Sequence, residues 1–107
     1  MKRVLFCLLV AGCAAARPEP DDTRRALEAA RQQLAREEQA LAGAQAEGRP
    51  VDCARATKLG ENICMLSERI CALVERLPRG PENTAQCTDS RARCAAAREK
   101  VKAACPK

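Results

Sequence analysis

Residues 52–71 read DCARATKLGENICMLSERIC, and residues 87–105 read CTDSRARCAAAREKVKAAC. Together they hold six of the eight cysteines, at successive gaps of 11, 7, 16, 7 and 11. The first stretch has one glycine and no proline, and its apolar residues recur at helical spacing: Ala56, Leu59, Ile63, Leu66, Ile70, continuing to Leu73 and Leu77. It is a helix rather than a loop to be stapled. At about 100° per residue, a step of 11 or 7 returns a side chain to within about 20° of where it began. The three cysteines of each stretch therefore lie in one line along one helix face. The series of gaps is a palindrome centred on Arg79, inside the proline-glycine turn PRGPENT (78–84). When the chain reverses there, the two lines meet level by level. The mirror spacing pairs Cys71 with Cys87, Cys64 with Cys94 and Cys53 with Cys105, one of the 15 connectivities open to six cysteines.

Packed helix axes stand about 8–10 Å apart, which brings facing Cα atoms into disulfide range when the neighbours are small. Ala56, Gly60 and Ser67 supply such neighbours. The same mirror places Gly60 opposite Arg98, so the glycine is expected to make room for the arginine stem.

Upstream of this hairpin, DDTRRALEAARQQLAREEQALAGAQAE (21–47) carries Leu27, Leu34 and Leu41 every seventh residue, with Ala30 and Ala44 alongside. Glu37 interrupts the stripe, so the seam is narrow and alanine-rich. Asp21, Asp22 or Thr23 is expected to cap this helix, Asp52 the second, and Asn83 or Thr84 the third. Gly48-Arg49-Pro50 ends the first helix and Pro106 the third. The fold expected is all-α: a disulfide-stapled antiparallel helical hairpin over 52–107, with an N-terminal helix over 21–48 completing a three-helix bundle. The leucine-isoleucine stripe of the second helix is turned roughly 90° from its cysteine line. Either the first helix covers it, or that helix is mobile or self-associating and the stripe is a docking face for a partner protein.

The chain opens with Met1-Lys2-Arg3, a short apolar run through Val10 that includes Cys7, and then Ala11-Gly12-Cys13. A basic start, an apolar core and small residues mark a secretory signal over 1–12, far short of the roughly 20 residues of a permanent span. Val10-Ala11-Gly12-Cys13 resembles the lipobox of bacterial lipoproteins. That resemblance implies cleavage before Cys13, a diacylglycerol on its sulfur, and a tether, CAAARPEP (13–20), leading to the body. The alternative is an ordinary secreted protein cut near Ala14 to Ala16. Under the lipobox reading the protein sits in the bacterial cell envelope, anchored to a membrane on its periplasmic side. Ala14, where aspartate would signal inner-membrane retention, leans the expectation toward the outer membrane. Persistent disulfides also require an oxidising compartment, in agreement with export.

Composition narrows the function. Removing Lys2 and Arg3 from the 19 basic residues leaves 17 against 14 acidic ones, a net charge near +3 with the signs interspersed. Such a mixture reads as solvated helix faces rather than a nucleic-acid footprint. The sole aromatic residue, Phe6, leaves with the signal, and with it any platform for stacking bases. There is no histidine, no paired-carboxylate motif, no glycine-rich phosphate loop, no G-x-S-x-G and no C-x-x-C. No catalytic, cofactor-binding or small-molecule site is therefore expected. Thiolate binding of copper(I) is the rival reading, but same-helix cysteines two or three turns apart, about 10–16 Å, cannot share one ion. ICMLSERICALVERLP and CTDSRARCAAAREK resemble a group of exported cysteine-rich helical proteins of bacteria; the resemblance brings no activity with it. The nested pairs are also similar in architecture to the twin C-x9-C proteins of the mitochondrial intermembrane space, whose spacing differs. Lys107 invites comparison with a small envelope lipoprotein joined to peptidoglycan through its final lysine. The expectation is a structural or interaction module, with an accessory subunit of a larger envelope complex as the alternative.

Overall fold

A computed structural model describes residues 20–46 and 50–106. Cys13, the signal, the tether up to residue 19, Gly48-Arg49 and Lys107 lie outside the described residues. Among those described the chain is three α-helices without a strand: α1 (Pro20–Ala44), α2 (Cys53–Glu75) and α3 (Pro81–Ala104). At 25, 23 and 24 residues they are matched in length, each about 35–38 Å long.

The helix starts differ from expectation in two places. α1 already begins at Pro20, so Asp21 and Asp22 lie in its first turn and favour the positive end of its dipole, while Thr23 is buried. α3 begins at Pro81 behind Gly80, not at Asn83 or Thr84. Proline suits a first helical position because its missing N–H would have had no partner there. Asn83 instead donates from Nδ2 to the Pro78 carbonyl at 2.8 Å, closing the turn. Asp52 does cap α2, accepting from the Arg55 amide at 3.0 Å. α1 also stops a turn early, at Ala44, and Leu77 follows α2 rather than ending it, although it stays buried.

α2 is the middle element, packed on one side by α1 and on the other by α3. Leu27, Ala30, Leu34 and Leu41 of α1 meet the stripe Ala56, Leu59, Ile63, Ile70, Leu73 and Leu77, forming one core. Of the two readings of that stripe, the structure has the covered one, with α1 in place. Leu66 is only half-buried at its margin, and Met65 is exposed. Glu37, which breaks the leucine seam, accepts from Asn62 at 2.9 Å and from Gln33 at 3.0 Å, so the interruption becomes a polar clasp between α1 and α2. α1 reaches α3 through polar groups. Arg93 donates through Nε and a terminal nitrogen to the two carboxylate oxygens of Glu38, at 3.0 and 2.6 Å, and Gln45 donates to the Lys100 carbonyl at 2.8 Å. The bond to Glu38, then its charge and that of Asp89, raise the Arg93 pKa above its ordinary value, with burial opposing.

Candidate functional site

The interface of α2 and α3 is a ladder of three disulfides: Cys53–Cys105, Cys64–Cys94 and Cys71–Cys87. This is the nested set to which the mirror spacing points. The Cα atoms stand 5.8, 4.7 and 4.6 Å apart, within the usual disulfide range. The helices thus close toward the turn and spread slightly at the open end. The inner bonds are sheltered, with Cys64 and Cys71 buried, whereas Cys53 at the open end is exposed. Between the inner rungs Ser67 and Ser90 are buried with their hydroxyls 3.3 Å apart, and Ser90 donates to the Cys87 carbonyl at 2.9 Å. Burying hydroxyls without partners would cost about 1–3 kcal/mol each, so the pair satisfies itself across the seam. Ser90 escaped the sequence reading, yet it lies within one residue of the mirror position of Ser67. That register was its available signal.

Gly60 departs from expectation. A Cβ built there would meet Val101 Cγ2 at 3.1 Å and no other side chain within 4 Å, so it is Val101 and not the Arg98 stem that packs against it. The mirror matches Cα levels, but a helical side chain leans over the turn N-terminal to its own Cα. In an antiparallel pair Val101 therefore leans back to the level of Gly60. Gly60→Ala removes glycine's helix penalty of about 1 kcal/mol, but tightens the contact with Val101. In a Val101→Ala background it is expected to stabilise by about 0.5–1 kcal/mol in urea unfolding, and by less in the native background.

On the face of the hairpin turned away from α1 runs an open groove. Its outer part, about 580 Å³, has Gly60, Cys64, Ala95 and Val101 as its floor; the inner part continues past Ser67, Cys71 and Cys94 toward the turn. Glu61, Glu68 and Glu75 edge it on α2, and Arg91, Arg98, Glu99 and Lys102 edge it on α3, all exposed, with Lys102 paired to Glu99 at 3.7 Å. The floor is made of small side chains because the helices approach closely along the ladder.

With all six body cysteines in bonds, this oxidised form has no thiolate among them to offer a metal or a disulfide substrate. Among the described residues no three histidine, cysteine, aspartate or glutamate side chains are grouped to hold a metal ion. No described helix is long and apolar enough to cross a membrane. No family model, curated protein or solved structure matches the chain.

Proposed function

We propose that this chain is a lipid-anchored, disulfide-hardened helical protein of the bacterial cell envelope, held through Cys13 on the periplasmic side of a membrane, the outer one by the residue at position 14. It serves there as a spacer or docking module without catalysis. The observation that carries this reading is the ladder itself: every body cysteine is joined to another within one hairpin, an arrangement suited to an oxidising compartment and to rigidity. The lipobox ahead of it supports the anchor, since several acyl chains at about 0.8 kcal/mol per buried methylene hold effectively permanently. While α1 covers the leucine-isoleucine stripe, a partner docks elsewhere on the surface.

The deciding experiment is the mass of the protein extracted from membranes, followed by peptide mapping without reduction. A mature N-terminus at Cys13 carrying diacylglycerol, together with no free thiol in the body, is the expected result. An unmodified chain in the soluble fraction, cut near Ala14 to Ala16, overturns the anchor. Six free thiols with bound copper or zinc overturn the structural role in favour of metal handling. Quantitative detergent extraction from purified sacculi would exclude a bond from Lys107 to peptidoglycan.

A further inference from the structure

We propose that the groove beside the disulfide ladder is a self-association face, seating the same face of a second copy of this chain about a two-fold axis parallel to the helices. The inference rests on the fold and its charges, not on the anchor.

At two levels the rims of the groove carry opposite signs, while Glu99 and Lys102 on α3 offset each other as a pair. Glu61 and Glu68 stand seven residues apart on α2, and Arg98 and Arg91 seven apart on α3. About the mirror centre of the hairpin, to within one residue, the Cα of Glu61 shares a level with that of Arg98 and Glu68 with Arg91, and the long arginine stems are left to span the opposite lean of the side chains. At about 100° per residue, each lies about 40–60° round its helix from the cysteine line, on the side away from α1. They therefore project partly outward over the groove as well as toward its other rim. All four are exposed, and none takes part in an ion pair among the described residues, whereas Arg25, Arg31, Arg93 and Lys102 each have a carboxylate within 4.0 Å.

A two-fold axis parallel to the helices lays α2 of one copy over α3 of the other at an unchanged level. Glu61 then meets Arg98 of the second copy and Glu68 meets Arg91, and symmetry repeats both pairs. An axis running across the helices would instead set the glutamate rim on the glutamate rim, and like charges face to face oppose docking. The occupant favoured by the charges is this same face. Glu75 falls level with uncharged Thr84, so two levels carry the match. The floor of Gly60, Cys64, Ala95 and Val101 lets the second hairpin approach without bulky side chains between the helices.

The test is sedimentation equilibrium of the exported, oxidised full chain carrying Cys13→Ser, so that sharing a detergent micelle does not imitate association. A dimer at about 50 mM salt that weakens at least about tenfold at about 500 mM is expected for exposed pairs. The double reversals Glu61→Lys with Glu68→Lys, and Arg91→Glu with Arg98→Glu, should each be monomeric alone. Mixed in equal amounts they should form a heterodimer, because one set of pairs is restored with its signs exchanged and the other keeps the native signs. Circular dichroism and the non-reduced mass verify that each variant keeps its helices and three bonds. A native chain that is monomeric at about 0.2 mM, where even weak dimers of small interface form, overturns the proposal. So does a dimer indifferent to the reversals, or a mixture that stays monomeric.

Discussion

Removal of the innermost bond by Cys71→Ala with Cys87→Ala lowers the thermal midpoint by about 12–24 °C. The two cysteines are 16 residues apart, and constraining a loop of that size is worth about 3 kcal/mol in the chain-entropy account. For a body of this size each kcal/mol moves the midpoint by about 4–8 °C. Full reduction acts on all three bonds at once. Taken as about 3 kcal/mol each, an upper bound because nested bonds share loops, the ladder contributes about 9 kcal/mol. A small domain has about 5–15 kcal/mol in all. The core has little to set against such a loss: apart from Cys64 and Cys71 its buried apolar members are leucine, isoleucine and alanine, with no aromatic side chain. Reduced protein is therefore expected to lose its tertiary structure at 37 °C, read by thermal circular dichroism with and without a thiol reductant. Equal midpoints under both conditions would assign the stability to the core instead.

Leu34→Ala is the second large effect, with a different distribution. Leu34 is 0% exposed, at the centre of the seam between α1 and α2. Truncating a leucine so enclosed costs about 3–5 kcal/mol, transfer and cavity together. α1 has no disulfide to the hairpin; it is joined through the 45–52 connection and held by the leucine seam, Glu37–Asn62, Glu38–Arg93 and Gln45–Lys100. The loss should therefore fall on α1 alone. Amide exchange is expected to show α1 losing protection while α2 and α3 keep theirs, as two units of unequal stability. A uniform loss over all three helices would mean that they unfold as one unit.

The hairpin is legible because two periodicities coincide in it. Helical repetition fixes which cysteines share a face, and the palindrome about Arg79 fixes which levels meet. Neither depends on distant packing. Boundaries were less legible: Pro81 rather than Asn83 or Thr84 opens α3, because a proline next to a glycine serves equally as turn or as first helical residue. The Gly60 contact was misassigned because residue numbers give the level of a Cα and not the lean of the side chain above it. Glu37 looked like a defect in the seam until its partner on α2, Asn62, came within 2.9 Å.

The sequence by itself determined three helices, the antiparallel reversal and the pairing of cysteines, since each follows from local spacing along one chain. Only the tertiary structure decided that α1 lies over the leucine-isoleucine stripe, that α1 reaches α3 through Arg93 and Gln45, and that a groove edged by opposite charges remains on the far side of the ladder. Those facts depend on how whole helices settle against one another. The settling is set by side-chain shape and burial summed over residues far apart in the chain, a quantity that no short stretch of sequence contains.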